Sequence, residues 1–600
     1  MAEEPQVVRG INWRETFPFT HIFRAFRIAI HPSKLALALM AILALYLGGS
    51  ALDLLWVRSQ WAVHGEIELY ERLGGGEPFK QAVAARWKRL QEQAADRLTT
   101  PNRTRQQALE FAARDPYAAC SEMSKAISND LNSALASAKS NFEAAMKAAA
   151  NDEQRDLARK NYLEARRAAY ARAREGYAFT RQFDGQGPFK AFLDYQARKA
   201  HEISMAVLAG NWLGGLGAGA GMPAARELRA AMENELGILA AGGDGVVLGT
   251  FKFFTVAPRW AMFNHPLYFI LFGALFLCVW SLFGGAIARI AAVHVADEGR
   301  KLSIRQGLNF AISKFLSYIS APLIPAIIVL VIGIVMAAGG LLFYIPWVGG
   351  PVAGLVFFLA LIGGFVITLV ILGTAGGFNL MYPTVAVEGS DSFDAISRSF
   401  SYVYARPWRM LFYSAVAIAY GALTYLFVRL FIWLTLAMTQ FFAGWWFRSE
   451  NDEGVRAWTA MFPPPDLMAL PYVADRLALD GGSAVGSYLI AIWCHLCIAM
   501  LGAFAISMYF SANTIIYYLM RKEVDATEMD DVYLEQPEEE FAEAAAPTPA
   551  PAGEAAPAAQ TSAAEASSGQ PASQDKPAPP AEPQKPSDQE QKPQQPPSDA

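Results

Sequence analysis

The chain has 600 residues, 53% of them hydrophobic, with 55 acidic residues against 50 Lys and Arg and a formal net charge of −5. With a positive mean hydropathy, this composition excludes an average soluble enzyme and puts the membrane class first. A bilayer core of about 30 Å takes about 20 apolar residues of helix, and six runs reach that length: 35–56, 266–288, 322–344, 351–378, 408–436 and 487–520. The expected fold is all-α, a polytopic membrane protein with six transmembrane helices.

Residues 1–34 carry Arg9, Arg14, Arg24, Arg27 and Lys34. Within them "FTHIFRAFRIAIHP" reads as an interfacial amphipathic helix ahead of the first span. That span ends in "LDLLW", without the small-x-small pattern of a cleavage site, so it is read as a retained anchor. Basic residues also gather before the third span (Arg289, Arg300, Lys301, Arg305, Lys314), before the fifth (Arg398, Arg406, Arg409) and after the sixth (Arg521, Lys522). Lys and Arg in short loops favour the cytoplasmic side, and with six spans all four groups fall together. The expectation is a multi-pass protein of the bacterial inner membrane, with both termini cytoplasmic and 57–264 outside.

In that long segment the composition turns to Ala, Arg, Glu and Lys, the set of long solvated helices. Met123, Ile127, Leu131 and Leu135 recur every fourth residue, Phe142 and Met146 extend the stripe, and Leu163, Tyr170 and Tyr177 recur at seven. A cap at Asn151 or Asp152 divides the stretch into two helices of about 30 residues, an antiparallel, coiled-coil-like hairpin; one uninterrupted rod is the alternative. Further helices are expected over 188–208 and 223–240. The string "LGGLGAGAGMP" lacks the preceding strand and the following Lys of a phosphate loop and reads as a connector. In "HEISM", Met205 stands where a zinc-binding HExxH needs its second histidine, so no zinc site is expected at His201.

Beyond the fifth span, apolar character continues through Arg429 to Phe447. Arg429 is expected to snorkel at the outer headgroups, with 430–447 lying on the outer surface or leaning on other spans. In the sixth span, "WCHLC" sets Cys494 and Cys497 one turn apart while His495 points away from Cys494. A soft metal would need further ligands. The adopted reading is two packable cysteines and a hydrogen-bonded histidine at a helix contact, and no cofactor is expected. Cys278, Cys494 and Cys497 lie in spans, and with Cys120 they suggest no disulfide framework.

The chain repeats one unit. "EGRKLSIRQGLNFAISKFLSYISAP" from Glu298 and "EGSDSFDAISRSFSYVYARP" from Glu388 share Glu-Gly, then serine, an aromatic and basic helix, then proline and a span. A third copy, without Glu-Gly, ends in Pro32. Ser303 and Ser392 are expected as helix N-caps, and each proline as the point where a surface helix turns into the membrane. Glu298 and Glu388 are candidates for a paired site built from repeats, although both are expected in surface loops, where a structural role is favoured.

The residues Glu388, Gly389, Ser392, Ala395, Ser399 and Pro407 give the region 265–520 a pattern that resembles the membrane domains related to the glycerophosphodiester phosphodiesterase membrane region. The resemblance implies an architecture and no hydrolase activity, since no phosphodiesterase catalytic domain accompanies it. After Lys522 the chain becomes acidic and rich in Pro, Ala and Gln, so disorder is expected from about residue 537. Val532, Tyr533 and Leu534 can anchor to a partner or to the protein's own cytoplasmic face. No catalytic set assembles, and the functional expectation is a non-enzymatic scaffold or envelope-organising protein, with a transporter or lipid-handling protein as alternative. Expected partners are the lipid bilayer and a protein contacting the outer helices or the tail, with no nucleic acid.

Overall fold

The computed structural model describes residues 17–208, 210–211, 244–297, 300–467, 470 and 472–534. The connector 213–223, the helix expected over 223–240, Glu298 and the tail from 535 onward lie outside the described residues. Among the described residues there is no β-strand, only isolated bridges.

Short helical stretches, Pro18–Arg24 and Ala25–Ala29, lead into α1, Pro32–Leu55, whose first turn tolerates Pro32 because its missing N–H would have no partner there. The chain then builds a helical domain from α2 (Glu66–Leu73), α3 (Glu77–Leu98), α4 (Arg105–Arg114), α5 (Pro116–Ala148), α6 (Asp152–Asp184), α7 (Pro188–Leu208) and α8 (Val246–Asn264). Local chemistry sets the boundaries. Thr104 and Gln107 form a reciprocal capping box at α4, the Asp115 carboxylate accepts from Ala118 N at α5, and Asn151 accepts from Gln154 N at α6.

Helices α5 and α6 have 33 residues each, about 50 Å at 1.5 Å per residue, and run antiparallel. Their base is buried on α3 and α4 through Leu90, Ala94, Leu98, Ala112, Met123 and Phe183. Toward the tip Phe142 stacks on Tyr162. A second core, Ile67, Tyr70, Phe79, Tyr195 and Trp260, joins α2, α3, α7 and α8.

Beside that core, Lys199 lies 2.9 Å from Glu71 and 3.2 Å from Asp244, and Lys252 lies 3.1 Å and 2.7 Å from the same two carboxylates. Burial alone would raise both acids, but hydrogen bonds from the two lysines outweigh it and hold them below their usual values. A depressed carboxylate contributes stability above its unfolded pKa and loses it as pH falls through the folded one. Acidification below about pH 4 is therefore expected to speed hydrogen exchange in α2 and α7 before it affects the α5–α6 base. Equal protection of both regions at every pH would contradict this.

Among the described residues, six helices are long and apolar enough to cross a membrane: α1, α9 (Pro266–Ala296), α11 (Phe315–Gly340, extended by a short helical turn to Tyr344), α12 (Gly349–Glu388), α14 (Pro407–Ala443) and α15 (Gly481–Asp525). Between them stand the short helices α10 (Ile304–Ser313), before α11, and α13 (Ser392–Ala405), before α14. The spans do not pack evenly along their lengths. Residues 285–293 of α9, 380–387 of α12 and 510–521 of α15 are buried on every side. The beginnings of α1, α11 and α14 join them through Leu37, Tyr318 and Met410. Alanines at 286, 288, 291 and 292 allow this close approach. At the opposite end α11 and α12 expose Leu330, Ile334, Leu355 and Phe358, side chains suited to lipid.

The membrane core is thus gathered at the end that carries the basic groups. The three repeated units lie there too, each with one face in the core: Ile22, Ala25 and Ile28; Phe310 and Ala311; Ala395, Ser399 and Tyr402. They are packed components as well as surface helices.

Three local expectations are corrected. The cap of α13 is Asp391, which accepts from Asp394 N at 2.9 Å, and Ser392 is the first helical residue; a carboxylate next to a serine takes the cap position. Ser303 does cap α10. Pro407 begins α14, but Pro322 lies inside α11 and the break falls at Lys314 (φ −103°, ψ 17°); a proline in a helix is tolerated where surrounding helices support the backbone. Arg429 is buried instead of snorkelling, with Nε donating to the Leu467 carbonyl at 3.0 Å. It lies within one unbroken helix that reaches Ala443, so 430–443 continues α14 and packs through Ile432 and Leu436 on Phe462, Leu470 and Tyr472 and on α15.

Candidate functional site: the polar end of the bundle

Glu388 is the last residue of α12, followed by Gly389 in the left-handed region (φ +66°). It was expected in a surface loop; instead α15 and α13 close over it and leave its side chain 16% exposed. Its Oε1 accepts from Tyr517 at 2.9 Å, lies 2.8 Å from Arg521 Nε and 4.0 Å from Arg398. Arg521 then donates to the Asp531 carbonyl at 2.8 Å and to its carboxylate at 2.6 Å. One acid thus ties the end of α12 to α15, and one guanidinium ties α15 to the segment beyond it.

That segment, 526–534, folds back onto the bundle. Tyr533 N donates to the Val387 carbonyl at 2.8 Å, and Arg289 of α9 donates to the carbonyls of Ala386 (2.8 Å) and Tyr533 (2.6 Å) while its guanidinium covers the Phe310 ring at 4.2 Å. Of the two docking surfaces open to Val532, Tyr533 and Leu534, the protein's own face is the one occupied here. A Cβ at Gly389 would fall 2.5 Å from the Tyr533 ring, in a backbone region that L residues rarely adopt. Gly389→Ala is expected to destabilise by about 1–2 kcal/mol from backbone strain and to increase hydrogen exchange selectively at 526–534. Unchanged protection of that segment would contradict the docking.

Further pairs surround the centre. Tyr402 donates to Asp525; burial and then this carboxylate raise the phenol pKa. Glu523 pairs with Arg409 and accepts from Tyr413 at 3.0 Å. Arg398 is held charged: burial opposes its charge, but Asp394 and Glu388 outweigh it and raise its pKa. Lys34, fully buried at the start of α1, places Nζ 3.3 Å from His294 Nδ1, and the His31 and His294 rings meet at 4.9 Å. Burial, then the nearby Lys34 and Lys301, lower the His31 pKa and favour the neutral ring.

This set is suited to fastening. Glu388 Oε1 faces two guanidiniums and a phenol, so that oxygen is already engaged by neighbours. No protein-family model, no curated protein and no solved structure matches this chain. The assignment therefore rests on geometry.

The other candidates lie elsewhere. Cys494 is buried on Tyr472, Cys497 is partly covered, and His495 places Nδ1 2.6 Å from the Ala491 carbonyl of its own helix, with its ring edge on Tyr472. Among the described residues, no group of three or more His, Cys, Asp or Glu is placed to hold a metal. Sequence reasoning missed the central roles of Arg289 and Lys34, which were counted only as topology charges. The signal was present: Arg289 interrupts the apolar stretch "AIARIAAV", where an ionisable group is costly unless partnered.

Proposed function

We propose that this chain is a non-enzymatic scaffold of a bacterial inner membrane, with the basic, packed end of its spans and both termini in the cytoplasm and the helical domain outside. The observation that carries this reading is how α5 and α6 are held. Arg166 lies 2.9 Å from Asp452, Arg174 lies 2.6 Å from Glu453 and 2.5 Å from Asp475, and Arg167 donates to the Glu453 carbonyl at 2.9 Å. The middle of α6 is thereby clamped to the loop between the fifth and sixth spans, and the base is clamped by α3 and α4. In a six-span topology these two loops share a face.

A rod of about 50 Å held at base and waist is suited to presenting its tip to a partner protein. Photo-crosslinking residues at Lys147 and Leu157 in native membranes test it. The expected result is a discrete protein adduct at the tip and none at buried Ala94. Equal, diffuse adducts at all three positions, or none at the tip, would remove the scaffold reading. A lipid-handling role is the second reading, favoured by the cleft described next.

A further inference from the structure

Where α1 leaves the apolar layer, a cleft of about 790 Å³ opens between its last turns, the end of α6 and the start of α7. That volume falls in the range of about 300–1,000 Å³ usual for small-molecule sites. Its lining combines two kinds of chemistry. Tyr46, Leu54, Phe189 and Leu193 are apolar, and Leu54 on α1 is 85% exposed. Arg58, Arg181 and Lys190, with Trp56 and Trp61, add cations and indole donors.

The acids in the cleft are already occupied. Asp53 accepts from Phe189 N (3.0 Å), Lys190 N (2.9 Å) and Tyr268 OH (2.8 Å), which closes the first turn of α7. Asp184 is met by Arg58 at 3.3 Å. The polar capacity left over is for donation. The indole N–H groups of Trp56 and Trp61 are buried with no acceptor, and the exposed Arg181 has no carboxylate in ion-pair reach among the described residues. An unmet buried donor costs about 1–3 kcal/mol, and a donor-rich, cationic pocket complements an anion. Trp and Tyr at this height mark the membrane interface, which places the apolar lining residues beside acyl chains.

We propose that this cleft binds one anionic glycerophospholipid, its phosphate held by Arg181, Arg58 and the two indoles and its first acyl carbons lying along Tyr46, Leu54 and Phe189. The proposal rests on α1 crossing the membrane, and does not depend on what the α5–α6 tip contacts. A bound lipid would fasten the outer end of α1 to the junction of α6 and α7.

The test is native mass spectrometry of the full chain purified in detergent, titrated with phosphatidylglycerol or with phosphatidylcholine of identical acyl chains. One phosphatidylglycerol is expected to remain bound per chain at energies that strip phosphatidylcholine. Arg181→Gln is expected to weaken phosphatidylglycerol retention roughly fivefold, from the loss of one cation beside anionic lipid, and Trp61→Phe to weaken it while keeping the ring. Phosphatidylcholine retention should not change, and Arg181→Gln should melt like the parent because that side chain is exposed. Equal retention of the two lipids, indifference to Arg181→Gln, or complete displacement by inorganic phosphate would overturn the proposal. The last result would show an anion site that does not use the acyl chains.

Discussion

Glu388→Ala is expected to lower stability by about 1–3 kcal/mol, the range for taking away a hydrogen-bond partner from a charged group. The loss is limited because Arg521 keeps the Asp531 carboxylate at 2.6 Å. Arg521 has a side chain only 8% exposed and loses the carboxylate 2.8 Å from its Nε, while Tyr517 loses its acceptor. Thermal unfolding of the protein in detergent should show the largest shift among single substitutions at this end. Replacing both partners, Glu388→Gln with Arg521→Met, is expected to recover part of the loss, because no buried charge then remains at this contact and the Asp531 carboxylate, 60% exposed, is left to solvent. A single variant that melts with the parent would show that the pair does not fasten α12 to α15.

Arg174→Ala is expected to act locally. Its guanidinium joins α6 to Glu453 and Asp475 but is about one-third exposed, so solvent screening limits the loss to about 1 kcal/mol. Adding Arg166→Ala removes the contact to Asp452 as well. The pair should raise the rate of proteolysis within 449–478 roughly tenfold, the factor that corresponds to about 1.4 kcal/mol in the open population. The main melting transition should scarcely move. Unchanged cleavage in that loop would show that the clamp carries no load.

The parts of this architecture that depend on local pattern were legible in the chain. Hydropathy marked six spans, and the stripe from Met123 to Met146 with a cap at Asn151 marked the paired helices. The Glu-Gly-Ser recurrence marked the surface units. What pattern does not encode is which faces meet. Arg429 looks the same whether it reaches for phosphate or for the Leu467 carbonyl, because the partner is 38 residues away in an irregular loop. Glu388 reads as a turn residue until α15 supplies Tyr517 and Arg521 from 129 residues on. The clamp joins residues separated by 286 positions, and the cleft at α1 is made by three segments that share no motif.

The membrane topology is the claim on which the remaining proposals stand, and cysteine accessibility in intact cells tests it most directly. Cys120 and Cys494 are buried, whereas Cys278 and Cys497 are at least partly exposed, so all four are first replaced by serine or alanine. Single cysteines are then introduced as Lys147→Cys, Glu450→Cys, Arg305→Cys and Asp530→Cys. A membrane-impermeant maleimide should label positions 147 and 450 in intact cells, and positions 305 and 530 only after permeabilisation. Labelling of 147 and 450 from opposite sides, or of 305 in intact cells, would contradict a bundle whose packed basic end faces the cytoplasm and whose clamped helical rod stands outside.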